Sequence, residues 1–379
     1  MKHVIERDDT LMARFLEEGK QRPAEVAGWL REFLEEARES LDLAFYDVHL
    51  SSEPAVLLRD TLARLQASGV RVRLAYDDGD KPQTPRGVDQ TGVGLITGNT
   101  HQRVEEFDLP PEIVRAVSGP NQLMHHKYVV RDGALVWTGS LNLSDDSMSR
   151  MENIIVVAAS RPLAAAFRRD FDRLWDTGQV ETSRAFVTES VPLQAYGEPA
   201  ETTISFSPGQ GRELNDEIAE RVGRAQRRIV FCSMLVTSSR ILRALVSQVD
   251  RAAIEVTGVY DRTQMAGVLD QWRERQDLWW KIEAFERLTE GDRLVGKDSE
   301  PFRPGHSHNF MHNKTLVVDD TVITGSYNLS HAAQTNAENV LMIESVALAG
   351  EVARYTDGLK RRFLTPLPPS AIDKKSTAR

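Results

Sequence analysis

Apolar residues recur at helical spacing at Val26, Leu30, Leu34 and Ala37, which places them on one stripe of a helix. Leu214, Ile218, Val222 and Ala225 repeat that stripe 188 positions later. Each stripe is followed by an apolar run, from Leu41 to Tyr46 and from Ile229 to Met234, that reads as a buried strand. Further helical stripes run from Leu57 to Leu65 and from Ile241 to Val249. Val72 to Asp77 then matches Val256 to Asp261, 184 positions on. Strands alternating with helices predict βαβ units around a largely parallel sheet core. Each half closes with a strand, Ile154 to Val157 or Val340 to Ile343, and a helix. Leu163, Phe167, Phe171 and Leu174 stripe the first closing helix; Leu348, Val352, Tyr355 and Leu359 stripe the second. Ser160 and Pro162 supply an N-cap and a first turn.

The chain of 379 residues fits two domains at about 150 residues each, expected at 1–185 and 200–369. A linker is expected from Thr182 to Thr203, around Pro192, Gly197 and Pro199. Long polar loops are expected from Asp78 to Gln122 and from Thr289 to Phe310, and a frayed basic tail after Pro369. The formal net charge of −9 argues against indiscriminate coating of duplex DNA, though it leaves room for a local basic cleft. The single cysteine, Cys232, excludes an internal disulfide. The charged start, Met1 to Asp9, lacks a signal-peptide core, and no apolar run reaches the roughly 18 residues of a membrane span. A cytoplasmic protein is therefore expected.

One chemical motif occurs twice. The first copy is Met124-His125-His126-Lys127, then Asp132-Gly133, Thr138-Gly139-Ser140-Leu141-Asn142 and Glu152-Asn153. The second is Met311-His312-Asn313-Lys314, then Asp319-Asp320, Thr324-Gly325-Ser326-Tyr327-Asn328 and Glu338-Asn339. The histidines lie 187 positions apart, the asparagines after the Gly-Ser pairs 186, and the glutamates 186. At about one in twenty per residue type, chance recurrence of the set is on the order of one in ten billion. Strand alternation puts His125 on the face of Lys127 and turns His126 away. Tyr128 to Arg131, the Asp132-Gly133 turn, and Ala134 to Thr138 read as a hairpin returning Ser140 and Asn142 toward His125.

This set suits a phosphodiester. Two lysines, with the hydroxyls of Ser140 and Ser326 and the amides of Asn142 and Asn328, can hold phosphoryl oxygens. One neutral histidine can attack phosphorus while the other, protonated, serves the leaving oxygen and then water. Glu152 and Glu338 are each expected to orient the histidine of their own half. The carboxylates are too dispersed for a two-metal site, so neither metal nor cofactor is expected.

The residues resemble the phospholipase D superfamily, whose signature is His-x-Lys-x4-Asp followed by Gly-Ser-x-Asn. The resemblance covers both motifs and the repeat around them. It implies an α/β fold of two similar halves about a pseudo-twofold axis, with mixed β-sheets flanked by helices. It implies one shared active site that needs no oligomer, with His125 as nucleophile and His312 as general acid, or the reverse. It also implies that the motif aspartates, Asp132 and Asp319, are structural. His-Asn-Lys, Gly-Ser-Tyr-Asn and the following Asn-Ala-Glu-Asn are most similar to the small endonuclease branch, which favours nucleic acid as substrate. The alternatives are phospholipid hydrolysis or phosphatidyl transfer, and an inactive phosphate-binding protein.

Other features carry less. His306, His308 and His312 lack a completing cysteine or carboxylate for zinc, so the first two are expected at a cleft rim. Trp279-Trp280 can stack on bases or lipid, but Trp272 and Leu278 nearby favour core packing. Arg131 and Arg150 are expected to be solvated or to steer phosphate. The run Asp77-Asp78-Gly79-Asp80 is read as a turn rather than a calcium site.

Overall fold

Outward from the middle, the first half lays down strands Thr10–Leu16, Asn153–Ala159, Leu135–Gly139, Lys127–Arg131, Ser40–Phe45, Arg71–Asp77 and Val114–Val117. In the same order the second lays down Glu198–Ser207, Glu338–Glu344, Thr321–Gly325, Lys314–Val318, Arg228–Ser233, Glu255–Asp261 and Leu294–Lys297. Val191–Ala195 stands between them, so that fifteen strands among the described residues form one mixed sheet. This computed structural model describes residues 9–78, 104, 105, 107–182, 190–301, 303 and 306–364.

The parallel part is smaller than the alternating pattern predicts. Three neighbouring strands run parallel at each end, for example Ser40–Phe45 beside Arg71–Asp77 and Arg71–Asp77 beside Val114–Val117, and Thr10–Leu16 pairs parallel with Val191–Ala195 at the centre. Helix Ser52–Ala67 supplies the first crossover. Apart from that central pair the ladders between the ends are antiparallel, and the motif hairpins reverse the chain there, with Val129 facing Trp137 and Leu316 facing Ile323. Val114–Val117 and Leu294–Lys297 lie inside segments read as loops; four residues are too few to display a strand period. The expected linker holds a hairpin whose two-residue turn is Tyr196-Gly197, both at positive φ. Its glycine read as a breaker when it was a turn. The remainder of that linker at 183–189, residues 79–103 of the first loop with Asp80, and the tail after Pro369 lie outside the described residues.

One core fills the space between the halves, where helices Arg161–Thr177 and Val346–Leu364 bring Phe167, Phe171, Leu348 and Val352 against inner sheet residues such as Val130 and Val322. Separate cores on the outer faces seat helix Pro23–Glu35 through Leu30 and Phe33, and helix Ser239–Arg251 through Leu242 and Leu245. Helix Arg161–Thr177 starts where predicted: the Ser160 hydroxyl accepts from Leu163 N, Pro162 sits in the first turn, and Gly178 closes it at φ 66°. Gly139 and Gly325 end the returning hairpin strands at φ 139° and 147°. A Cβ at either would stand 2.1 Å from the carbonyl oxygen of Ile154 or Asn339, so only glycine lets the strands approach here.

Candidate active site

The site forms where the two motif hairpins enter the sheet from opposite halves. In the first hairpin Asp132 and Gly133 adopt φ 53° and 57°, and Ala134 N donates to Arg131 O at 3.0 Å, a type I′ turn. The backbone before each motif histidine is pinned by a repeated aspartate. Met124 N donates to Asp77 Oδ1 at 2.7 Å, and Met311 N to Asp261 Oδ2 at 2.9 Å. The sequence carried that signal, because Asp77 and Asp261 close matching strands 184 positions apart.

His125 and His126 part company as strand alternation predicts. His126 is fully buried behind the strand, with Nε2 2.9 Å from Asp170 Oδ2 and Nδ1 3.4 Å from Asn339 Oδ1. Isolated bridges of Met124 with Ala337 and of Met311 with Glu152 carry His125 and His312 onto the seam between the halves. Burial depresses both motif histidines well below the ordinary imidazole value, and both lysines depress them further. The charge of His125 also weighs on His312. Backbone hydrogen bonds with Ser326 for His125, and with Ser140 for His312, cross between halves.

The glutamates do not serve the histidines of their own halves. His125 Nδ1 lies 2.7 Å from Glu338 Oε2, across the interface between the halves. His312 Nδ1 lies 3.0 Å from Asn153 Oδ1, an amide and not a carboxylate. The Glu152 carboxylate is taken by Lys297. The cause is a one-residue slip. Ser140 Oγ meets Asn153 Oδ1 as Ser326 Oγ meets Glu338 Oε2, both at 2.6 Å. Gly139 pairs with Ile155 as Gly325 pairs with Val340. Asn153 is thus the structural counterpart of Glu338, and Glu152 that of Ala337. An offset of 186 counted along the sequence hides a spatial offset of 185.

The serines hold these partners. Ser140 Oγ also accepts from Ile154 N, and Ser326 Oγ from Asn339 N, each at 3.0 Å. Both hydroxyls thus donate within the scaffold, to Asn153 and Glu338. Asn336, read in the sequence only as the start of the Asn-Ala-Glu-Asn run, donates from Nδ2 to Glu338 Oε1 at 3.3 Å and accepts from Leu123 N at 3.0 Å. Asn142 and Asn328 each keep an Oδ1 that is buried without a partner among the described residues. Lys127 Nζ donates to His125 O at 2.7 Å, and Lys314 Nζ to His312 O at 2.9 Å. Burial lowers Lys127 to about 7 and Lys314 well below its usual range. Burial also lifts Glu338 and Glu152 to about 7 each, against the pull of Lys127 and Lys297 respectively. Such a site favours a ligand that brings negative charge.

Asp132 and Asp319 brace turns. Asp132 accepts from the amides of Arg38, Glu39 and Ser40, and Asp319 from those of Gln226, Arg227 and Arg228. Arg131 is buried with Nη1 2.6 Å from Phe33 O and 3.0 Å from Glu36, facing the scaffold. Arg150 stands beside Asp146, on the same short helix, at 4.0 Å. His308 is nearly buried: its amide donates to Asp146 Oδ2 at 2.6 Å and its ring stacks on Phe310, while His306 is exposed. Trp272 is buried, Trp280 is covered by the Arg243 guanidinium at 3.7 Å, and Trp279 is half exposed, so the pair packs only in part. No three His, Cys, Asp or Glu side chains gather as a metal-ligand set among the described residues, and no helix there is long and apolar enough to cross a membrane.

A family profile described as cardiolipin synthase, PLD-like domain, matches residues 30–175 and again 218–360. A mitochondrial cardiolipin hydrolase of Chlamydomonas reinhardtii is 24% identical over 148 residues, 38% of this chain and 55% of that one. A phospholipase D of Rickettsia bellii is 30% identical over 152 residues, 40% of this chain and 64% of that one. The chain thus spans less than two thirds of the length of either relative. The fold is similar to that of the phosphatidylserine synthase of Haemophilus influenzae, with a TM-score of 0.61 at 15% identity over 93% of this chain and 86% of that one. With two profile matches laid over two copies of one motif, the chain belongs to the phospholipase D superfamily of phosphodiesterases.

Proposed function

We propose that the chain cleaves phosphodiesters through a covalent phosphohistidine, with His125 as nucleophile and His312 as general acid. The observation that carries this reading is the unequal pairing of the two rings. A carboxylate facing Nδ1 holds the proton there, leaves the Nε2 lone pair free, and stabilises the cation that forms when Nε2 bonds to phosphorus. His125 has that carboxylate; His312 has a neutral amide that orients the ring with less pull on its proton.

His125 Nε2 attacks phosphorus, the bond from phosphorus to the leaving oxygen breaks, and His312 delivers its proton to that oxygen. Water then attacks phosphorus and gives a proton to His312. The phosphorus–nitrogen bond breaks with its electrons returning to His125. Lys127, Lys314, Asn142 and Asn328 hold the non-bridging oxygens. Asp132 and Asp319 act only on the turns, and Glu152 only through Lys297. The two units at 1–185 and 200–369 each contribute half of this machinery, so one chain suffices.

For the substrate, the second motif's pattern favours nucleic acid. The names of the relatives favour a phospholipid as the second reading. The test is turnover of bis(p-nitrophenyl) phosphate with EDTA present, followed by single-stranded DNA, duplex DNA, RNA and phospholipid vesicles in parallel. Turnover that is unaffected by chelator and absent from both His125→Asn and His312→Asn supports the mechanism. Full activity in both variants overturns it, and cleavage of vesicles alone overturns nucleic acid.

A further inference from the structure

The two halves present different walls to the histidines. Tyr46 follows the Ser40–Phe45 strand and is only 2% exposed. Its ring meets His125 edge-on with 4.8 Å between centroids, and the Lys127 ammonium lies 5.0 Å from the ring centre. Its backbone amide donates to His126 O at 2.9 Å, which fixes it in place. Phe45 pairs with Lys127 as Ser233 pairs with Lys314, so the matching position in the second half is Met234, also buried. A phenolic hydroxyl therefore stands on the His125 side and a thioether on the other.

Among the described residues that hydroxyl has no hydrogen-bond partner. Leaving a buried hydroxyl unpaired is destabilising, and phenylalanine would keep both ring contacts without that penalty. A bound group is the natural partner. Displacement at phosphorus runs in line, so with His125 attacking, the leaving oxygen departs on the far side, toward His312. A donor beside His125 lies near what stays attached to phosphorus. The carboxylates of Asp77, Asp47 and Glu338 crowd the hydroxyl and disfavour an anionic oxygen there.

We infer that Tyr46 binds substrate and sets specificity, its hydroxyl donating to an uncharged oxygen of the alcohol that remains esterified to phosphorus. This rests on the reading of His125 as the attacking group. Deoxyribose and glycerol both offer such an oxygen, so the inference holds for a nucleotide or a lipid source.

Calorimetric titration of wild type and Tyr46→Phe with inorganic phosphate, phenyl phosphate, glycerol 3-phosphate and thymidine 5′-phosphate tests it. Wild type is expected to prefer one of the oxygen-bearing esters to phenyl phosphate. Tyr46→Phe should lose about tenfold in affinity for that ester, the worth of one hydrogen bond, with phenyl phosphate changed by no more than about twofold. Loss confined to glycerol 3-phosphate assigns a lipid backbone, and loss confined to thymidine 5′-phosphate assigns a nucleotide. Equal loss on every ligand, no loss on any, or no preference in wild type overturns the assignment. Turnover of bis(p-nitrophenyl) phosphate is measured in parallel. A wild type inactive there whose binding still depends selectively on Tyr46 keeps the subsite and rejects the proposed reaction.

Discussion

His125 takes its carboxylate from Glu338, 213 residues further along the chain, at 2.7 Å from Nδ1. Neither half can therefore orient this ring alone. The pairing also fixes a pH dependence. Burial raises the Glu338 carboxyl from 4.5 to about 7, so it becomes an anion only as pH rises through that value. Lys127 falls from 10.5 to about 7, so it loses its charge as pH rises through the same region. Activity needs Glu338 as an anion with Lys127 and His312 as cations, and His312 is held well below the ordinary imidazole value, so kcat/KM should trace a narrow bell whose base limb begins on the acid side of neutrality. Glu338→Gln should move the acid limb from about 7 down to the titration of His125 and lower the maximum on the order of 10⁴-fold, by analogy with loss of the carboxylate in a Ser-His-Asp triad. A pH–rate profile checks this, and an acid limb that stays at about 7 in Glu338→Gln rejects the assignment.

The division of labour between the rings predicts different failures. p-Nitrophenolate is stable as an anion and leaves without a proton, so a variant lacking the acid can still be phosphorylated. His312→Asn mixed with bis(p-nitrophenyl) phosphate should release a burst of about one nitrophenolate per protein and stall as a phosphoenzyme. His125→Asn should give no burst. Stopped-flow absorbance with intact-protein mass spectrometry reads both. A burst from His125→Asn and none from His312→Asn would swap the roles.

Much of this was legible in the residues. The duplicated helices, strands and hairpins followed from apolar period and turn chemistry, and His125 was separable from His126 by strand alternation alone. The exchange of partners was not legible. Glu152-Asn153 and Glu338-Asn339 read as one dipeptide repeated, and only the register of Gly139 with Ile155 and of Gly325 with Val340 reveals the slip. Lys297 and Tyr46 were also hidden. Each stands where the other half has a different residue, so a search for recurring chemistry passes over both. Beyond the motif hairpins, the direction in which the remaining strands pair escaped, because period reports strands and not their direction.

The slip frees Glu152 for Lys297, and both side chains are almost wholly buried. Glu18 stands 3.2 Å from the same ammonium and Arg362 within 4.0 Å of Glu152, so the turn after the first strand, the edge strand and the last helix meet there. The matching positions in the other half are Val117 and Ala337, both in the central core. Without Lys297 the buried Glu152 keeps only Arg362 at 4.0 Å, and breaking a buried pair on one side costs about 3–5 kcal/mol. Lys297→Met is expected to lose that much in denaturant unfolding. Glu152→Ala with Lys297→Val copies the apolar half and should recover most of it. A double variant as unstable as Lys297→Met alone rejects this account of the cluster.

Asn153 offers the sharpest test of how His312 works. Its Oδ1 faces His312 Nδ1 at 3.0 Å, and its Nδ2 donates to Ser147 O at 2.8 Å, so the amide cannot turn without losing a bond. Asn153→Ala leaves His312 present but free to rotate. A ring that supplies a proton matters in proportion to the basicity of the leaving oxygen. Loss of its orientation should cost on the order of 10²-fold in kcat on an alkyl ester and much less on a p-nitrophenyl ester. The plot of log kcat against leaving-group pKa should steepen in the variant. Parallel plots for wild type and Asn153→Ala would mean that Asn153 supports the fold and not the acid. A matched plot for Glu338→Gln controls for general damage: on the nucleophile's side, the loss should not depend on leaving-group basicity.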